Sequence, residues 1–486
     1  MFEVFFTSAA LVSVLVTYVT NPFSRFSIVK LPFRARLEKS TLETVNNNSK
    51  LKTRNNFLWR WFAIYQCGLY IVTTRYFHSP PAKSQTVDGI IRDIHALRYN
   101  PNKLLLISGD HFNGLFVRNL GVFYYPMLDT QIVSNEHDWQ NRQLVYLQTV
   151  AYALGVFEKN PVPTTTIVSM GRYGATCVNF YAYPSDTVYG IFYALAALAG
   201  KEKARAYDYG KDHNKLDTVS SARSLIDIYK LTLDNLYKHY RQTAFDDQTG
   251  LVRKNVHMSG AKDITRRESA FYDNVIFWKT TELAMKLNVI KKDTAFLSRL
   301  KKKIIQSFWL EEDGYFLEDL SDEGIKNKYY SSDWLIVLAT GFLDPSKSDE
   351  LAYFERSVQY IRDQKIDQPF PIKYQQETRA HRQFLAVRLA VASYGGDSIW
   401  SFWGMEYIKV LCRLYEVTGK HDYIEWAEDH IAAYEDNIIK NQGFPEVYDK
   451  NGKLLQTLFY RSIRQTGWVI GFEQAREIWR SYKNTR

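Results

Sequence analysis

The sequence has few cysteines and lacks the short motifs of several common catalytic classes. Its 486 residues include only Cys67, Cys177 and Cys412, which are too few and too scattered for a disulfide framework or a zinc site. It contains no Gly-x-Ser-x-Gly elbow, no His-Glu-x-x-His helix and no P-loop. These absences argue against serine-hydrolase, zinc-protease and nucleotide-hydrolysing chemistry. We expect neither a metal nor another cofactor.

A basic surface for nucleic acid is also missing. The net charge is +10, but residues 1–55 carry eight Lys and Arg against three Glu and so contribute +5 of it. The remaining residues carry no dense stripe of Lys and Arg. Since nucleic-acid binding proteins concentrate basic residues on one face, we expect no nucleic-acid partner.

Charged residues are absent from 4–24, which includes the apolar run FFTSAALVSVLVTYV. The length of the uncharged stretch 4–24 suits a membrane span. Basic residues follow this stretch and do not precede it, unlike the arrangement in a secretory signal peptide. We predict a membrane anchor at 1–24, then a basic linker with a second apolar helix at 25–83. Whether 57–74 also crosses the membrane is left open, and with it the side on which the remaining chain lies.

Beyond residue 80, apolar helical runs recur along the chain. A helix that is apolar on all sides must be buried, whereas an amphipathic helix buries one stripe. The apolar runs begin near Leu115, Asp186, Asp273, Asp333, Ile399 and Gln465, at intervals of 60 to 87 residues. Amphipathic segments alternate with them, at 84–98, 138–157, 218–241, 292–309, 347–364 and 421–440. We predict an all-α fold over 84–486, an (α/α)6 toroid with short β-hairpins in the loops, in preference to an irregular helical arrangement.

The openings of the predicted inner helices pair carboxylates or arginines with aromatic rings. In a double ring these openings meet at one end, around the axis. Carboxylates bind sugar hydroxyls and rings cover sugar C–H faces, so we predict an oligosaccharide or polysaccharide substrate. Any single Asp here could instead be a helix cap. The candidates are Asp110, Arg118, Asp186, Glu268, Tyr272, Asp273, Asp333, Trp400, Trp403, Glu446 and Trp468.

Three segments resemble the six-hairpin (alpha/alpha-toroid) glycosidases, which include glucoamylases, trehalases and processing alpha-glucosidases. RESAFYDNVIFW (267–278) resembles the family's E-S-G-W-D-x-S segment, with one extra residue between Glu and Asp and no Gly. YGGDSIWSFWGMEYI (394–408) is similar to a segment that lines the sugar pocket, and GFPEVYDKNG…RQTGW (443–468) to the segment that carries the general base. The resemblance covers roughly 84–480. It implies a glycoside hydrolase with Asp273 as general acid and Glu446 as general base.

Inverting hydrolysis needs one protonated carboxylic acid and one ionised carboxylate across the sugar. Asp273 lies among aromatic residues, which should raise its pKa, whereas Glu446 should lie in a wetter setting and stay ionised. Glu268 is a rival acid and Asp333 a rival base. The resemblance implies an α-glucoside or a related oligosaccharide as substrate. A catalytically inactive glycan-binding scaffold and a polysaccharide lyase on the same fold are the alternatives.

The anchor prediction can be tested by cell fractionation. We expect the full chain to sediment with membranes and the chain without residues 1–24 to be released, since the apolar stretch would be the main attachment. Reporter fusions after residues 40 and 80 serve as the topology control. Equal membrane association of both chains would contradict the prediction.

Overall fold

The computed structural model describes part of the chain. The described residues are 58–66, 81–98, 114–128, 136–169, 174–179, 185–206, 221–256, 262 and 265–483. The predicted anchor at 1–24 and the candidate Asp110 lie outside them. Residues 58–66 are helical, and within the described ranges no helix is long and apolar enough to cross a membrane.

The described part is mostly helical, with a few two- to four-residue strands. The outer helices are α1 (Val87–Arg98), α2 (Glu136–Lys159), α4 (Ala222–Ile228), α5 (Lys230–Ala244), α7 (Thr294–Phe308), α10 (Ser348–Asp363) and α13 (His421–Asn441). They are amphipathic except α2, which is buried on all sides over 149–157, contrary to the prediction for 138–157. The inner helices are α3 (Ser185–Ala206), α6 (Phe271–Lys286), α9 (Ile336–Thr340), α12 (Ser401–Thr418) and α14 (Val469–Lys483). The short helices α8 (Asp322–Lys326) and α11 (Leu385–Val391) lie in loops.

Burial distinguishes the outer helix α7 from the inner helix α12 as their composition requires. Outer helix α7 buries only Leu300, Ile304 and Phe308, which are four residues apart and form one stripe. Inner helix α12 buries nearly every side chain from Ser401 to Leu414. The predicted division into amphipathic outer and apolar inner helices is confirmed for these elements.

The inner elements contact one another in a closed circuit. Helix α3 packs on α6, α6 on α9, α9 on α12 and α12 on α14. The circuit closes through two 3-10 helices, because α14 contacts Tyr125–Leu128 and α3 contacts Val117–Leu120. The carbonyl of Gln465 also accepts a hydrogen bond of 2.7 Å from Arg98 of α1.

Short antiparallel strands brace the loops, as predicted. β1 (Gly114–Phe116), β2 (Thr166–Ser169) and β3 (Ala175–Val178) form a three-stranded sheet. The other pairs are β4 (Phe245–Asp246) with β5 (Leu251–Val252), β6 (Trp309–Leu310) with β7 (Tyr315–Phe316), and β8 (Ile399–Trp400) with β9 (Val447–Tyr448). The last pair brings the loop before α14 to the first residue of α12.

The first predicted inner helix is wrong in detail. The run that begins near Leu115 forms β1 and then the two 3-10 helices at Val117–Leu120 and Tyr125–Leu128. Gly121 follows the first 3-10 helix and Pro126 lies inside the second, and both residues are unfavourable in an α-helix. The fourth inner element is also short, because Gly341 ends α9 in a left-handed conformation with φ 65°.

Close approach between elements depends on Gly404 in α12. A Cβ atom built there would lie 1.8 Å from Pro371 Cγ and 2.3 Å from the Tyr434 hydroxyl oxygen. Pro371 and Tyr434 are both buried, so neither neighbour can move away without disturbing the core. The helix can pack against this loop only without a side chain at 404.

We therefore expect Gly404→Ala to destabilise the fold by about 1–3 kcal/mol, the usual cost of overpacking a core. Gly200→Ala in α3 is the matched control, because nothing lies within 4 Å of a Cβ atom there. Alanine at 200 should stabilise the helix by about 0.4–1 kcal/mol through the unfolded chain. Chemical denaturation of both variants measures the difference, and equal effects would contradict this packing.

Candidate active site

Asp273 lies in the first turn of α6 but does not cap the helix. The N-cap residue is Ala270, and no side chain makes a capping hydrogen bond there. Asp273 is 2% exposed, and its Oδ1 accepts a short hydrogen bond from the Ser185 hydroxyl at the start of α3. Its carboxylate is therefore directed towards the neighbouring inner helix α3.

The surroundings of Asp273 favour its protonated form. Burial raises the pKa of its carboxyl group to about 6, against the charge of Arg267 and the hydrogen bond from Ser185, which lower it. The negative charges of Asp186 and Asp333 raise the pKa further. A carboxylic acid with this pKa can hold and release a proton close to neutral pH.

Two predicted binding residues lie beside Asp273, and a third is within electrostatic range. The hydroxyl of Tyr272 donates to Asp186 Oδ2 at 3.2 Å. Burial, reinforced by Asp186, holds the pKa of Tyr272 well above its usual value, so the hydroxyl remains a donor. The charge of Arg118, from the first hairpin, opposes this shift. The structure therefore brings Arg118, Asp186 and Tyr272 to the neighbourhood of Asp273.

Asp333 binds an arginine that sequence reasoning did not select. Arg267 Nη1 lies 2.6 Å from Asp333 Oδ2, and both side chains are almost completely buried. The charge of Arg267 also lowers the pKa of Asp273, so one guanidinium group acts electrostatically on both acids. Arg267 is the first residue of the RESAFYD segment. Its position in the sequence next to the candidate acids Glu268 and Asp273 was the signal that could have identified it.

Next to this pair lies a buried charge cluster that the sequence did not reveal. Lys262 Nζ lies 2.6 Å from Glu318 Oε1 and 4.8 Å from the ring centroid of Tyr374. Burial lowers the pKa of Lys262 to about 7, against the attraction of Glu318. Burial would raise the pKa of Glu318, but the positive charges around it outweigh burial and lower the pKa to about 2. The groups that bind Glu318 are Lys262, Gln375, Arg379 and Arg382.

Glu268, the rival acid, is held by its backbone and has an exposed side chain. Its N–H donates to Asp319 Oδ2 at 3.0 Å, and its carbonyl accepts from the Leu320 N–H at 2.9 Å. The extra residue between Glu268 and Asp273 therefore belongs to a loop pinned to 318–320. Of the two acids in RESAFYD, only Asp273 is buried at the start of α6.

Glu446 lies immediately before β9, at the N-terminus of α12. Its carbonyl accepts from the Ser401 N–H at 3.1 Å, and the Tyr460 hydroxyl lies 3.5 Å from its Oε2. The expectation of a wetter setting is wrong, because the side chain is only 5% exposed. The loop that carries Tyr460 lies against β9, because the Leu455 N–H donates to the Val447 carbonyl at 3.2 Å and the Val447 N–H donates to the Ser462 hydroxyl at 2.9 Å.

The three candidate tryptophans pack closely with other rings. Trp468 stacks on Phe123 with centroids 4.5 Å apart and on Trp400 with centroids 5.9 Å apart. Trp403 meets Tyr272 edge-on, with centroids 6.3 Å apart. All three indoles are at most 3% exposed. Their role as sugar platforms stays a prediction.

Within the described ranges, no group of three His, Cys, Asp or Glu side chains could hold a metal ion. The arrangement instead combines a buried acid, acceptor carboxylates and N–H and O–H donors. Such a set can bind hydroxyl groups and transfer a proton to an oxygen atom.

Comparison with solved structures relates this fold to carbohydrate-active enzymes. A glucoamylase from Saccharomycopsis fibuligera aligns with a TM-score of 0.50 and 12% identity over 84% of this chain and 98% of that chain. A rhamnosidase from Klebsiella oxytoca aligns with a TM-score of 0.49 and 11% identity over 83% of this chain and 66% of that chain. A D-mannose isomerase aligns with a TM-score of 0.47 and 10% identity over 83% of this chain and 99% of that chain. No protein-family model and no curated protein sequence matches the chain.

The likeness to the glucoamylase shows the fold alone, since the identity is low. The chain has the six-hairpin glycosidase fold, as the resemblance in the sequence implied. A shared fold does not determine a reaction, because different activities are built on one scaffold. The function must therefore be argued from the side chains around Asp273.

The raised pKa of Asp273 predicts how its replacement changes stability with pH. Because the folded pKa of about 6 lies above the ordinary value of 3.8, this group's stabilisation is full below about pH 3.8. It is lost as the pH rises through about 6. Asp273→Asn removes this dependence, so its melting temperature relative to wild type should rise between pH 4 and pH 8.

The exposed Asp429→Asn in α13 is the matched control and should show no such trend. Thermal unfolding across the pH range measures both variants. A constant difference for Asp273→Asn would mean that the carboxyl group titrates like an exposed one.

Proposed function

We propose that the protein is a glycoside hydrolase in which Asp273 is the general acid and Glu446 the general base. The observation that carries the proposal is Asp273 itself, a buried carboxyl group at an inner helix start with a pKa raised to about 6. A general acid of this kind protonates the leaving oxygen of a glycosidic bond. The fold shared with a glucoamylase supports the same reaction class.

The positions of the two carboxylates support inversion. Asp273 opens the third inner element, and Glu446 precedes the sixth in the loop that pairs with the start of α12. In a ring of six, the third and sixth elements lie opposite each other. Inverting enzymes separate their carboxylates by roughly 6.5–9.5 Å so that a water molecule fits between the base and the sugar.

The charge balance favours a neutral sugar. Besides the general base Glu446, five acids, Asp186, Asp273, Asp333, Glu318 and Asp319, lie near five basic groups, Arg118, Arg267, Lys262, Arg379 and Arg382. Most of the basic groups are already paired with these acids. A uronate or phosphorylated sugar would therefore gain little attraction, which disfavours a polysaccharide lyase.

An α-glucoside or a related oligosaccharide is the substrate proposed first. The general acid Asp273 would lie beside the leaving oxygen, with Asp186, Asp333 and Arg118 on the hydroxyls of the sugar. Anchoring by residues 1–24 would keep the enzyme at a membrane surface. A scaffold that binds glycans without cleaving them is the alternative that an activity assay separates.

The assay is hydrolysis of trehalose, maltose, isomaltose and glycogen-type oligosaccharides. We expect Asp273→Asn to fold normally and to lose about two to four orders of magnitude in turnover, the usual contribution of a general acid. Glu446→Gln should lose as much and regain part of its activity with azide. In the wild type, kcat/KM should fall as the pH rises above about 6, because Asp273 loses its proton there.

Glu268→Gln is the matched control, since this side chain is exposed in the same segment, and it should keep most of the activity. NMR of the first-formed product reports whether the anomeric configuration inverts. Near-full activity of Asp273→Asn would reject the assignment of the acid. Sugar binding without hydrolysis of any substrate would favour the scaffold.

A further inference from the structure

Three buried side chains beside Asp333 carry hydrogen-bond donors with no protein partner. These donors are the Tyr374 hydroxyl, Nε and Nη2 of Arg267, and the indole Nε1 of Trp403. Tyr374 and Trp403 are 0% exposed and Arg267 is 2% exposed. Native proteins leave few buried donors without an acceptor. Unpaired donors on three side chains from separate parts of the chain therefore require an explanation.

The three side chains belong to one site. Arg267 is paired with Asp333, and the charges of both groups act on the Tyr374 hydroxyl. The rings of Tyr374 and Trp403 have centroids 6.0 Å apart. The Trp403 indole N–H is near enough to lower the pKa of Tyr374, although the two groups lack hydrogen-bond geometry.

Tyr330 and Tyr434, two other buried tyrosines of the barrel, have partners for their hydroxyls. The Tyr330 hydroxyl accepts from Trp334 Nε1 at 3.1 Å and lies 3.2 Å from the Ser332 hydroxyl. The Tyr434 hydroxyl donates to the Ser401 carbonyl at 2.6 Å. Burial holds the pKa of Tyr374 well above its usual value, so it keeps its proton and needs an acceptor.

We propose that Tyr374, Arg267 and Trp403 bind the oxygen atoms of a neutral sugar and determine which sugar enters the site. The Nε and Nη2 groups of Arg267 form a planar pair of donors, which matches two oxygen atoms on adjacent carbons. Asp333 binds the remaining Nη1 and fixes the plane of the guanidinium group. That the ligand is a sugar rests on the proposed function; that these donors bind a ligand does not.

A neutral ligand suits this site better than an anion does. Asp333 already balances the charge of Arg267, and Asp273 lies within its electrostatic range. A carboxylate on the ligand would be close to both acids. Hydroxyl oxygens accept from the four donor groups and can donate their protons to the acids, so both sets of groups are satisfied.

Tyr374→Phe tests the proposal because it removes one oxygen atom and leaves the ring. The matched control is Tyr330→Phe, which removes a hydroxyl that has partners inside the protein. Thermal unfolding measures each ligand-free variant. Calorimetric titration measures binding of D-glucose, D-mannose, L-rhamnose and D-glucuronate, which have no glycosidic bond to cleave.

We expect Tyr374→Phe to melt at the same or a higher temperature than wild type, because an unpaired buried hydroxyl is removed. Its affinity for the neutral sugar that binds best should fall about three- to tenfold, the usual effect of one lost hydrogen bond. Tyr330→Phe should melt at a lower temperature and bind that sugar unchanged.

Three results would overturn the proposal. A lower melting temperature for Tyr374→Phe with unchanged affinity would show that the Tyr374 hydroxyl forms a hydrogen bond with another protein group and not with a ligand. Tighter binding of D-glucuronate than of any neutral sugar would show that the site prefers an anionic ligand to a neutral one. If the wild type binds none of the neutral sugars, neutral sugars are not the ligand of this site. If these tests succeed while no glycoside is hydrolysed, only the proposed catalysis fails.

Discussion

The buried ion pair between Arg267 and Asp333 is the contact on which the candidate site depends. A pair so well buried adds little net stability, but losing either partner would leave an uncompensated charge in the core. The pair joins the segment before α6 to the start of the fourth inner element. It also sets a positive charge against Asp273, so the pKa of that acid stays near neutrality instead of rising further.

The loop at 318–320 holds the segment on which Arg267 and Asp273 lie. The Phe271 N–H donates to the Glu318 carbonyl at 3.0 Å, while the backbone of Glu268 binds Asp319 and Leu320. Glu318 can occupy the interior as a charged group because several cationic and amide donors surround it. The cluster therefore positions the site and need not touch a substrate to matter.

A second polar cluster farther along the inner helices behaves differently. Glu406 and Lys409 of α12 form a buried pair at 2.6 Å, joined by Tyr125 from the first hairpin and Gln474 from the sixth. These four side chains satisfy one another and join the first hairpin to the fifth and sixth inner elements. The donors around Arg267 lack such partners, and this contrast separates a group that holds the fold from one suited to a ligand.

Local composition and period predicted the alternation of amphipathic and apolar helices, although the first inner element forms 3-10 helices instead of an α-helix. They also placed Asp273 at the start of an inner helix, whereas its role as general acid stays a prediction. They did not identify Lys262, Glu318 or Tyr374, and the burial of Glu446 was misjudged. These points depend on tertiary contacts, because Arg267 and Asp333 are 66 residues apart and Tyr125 and Glu406 are 281 apart. Hydrogen-bond partners and pKa shifts depend on distances across the ring, which a local pattern does not encode.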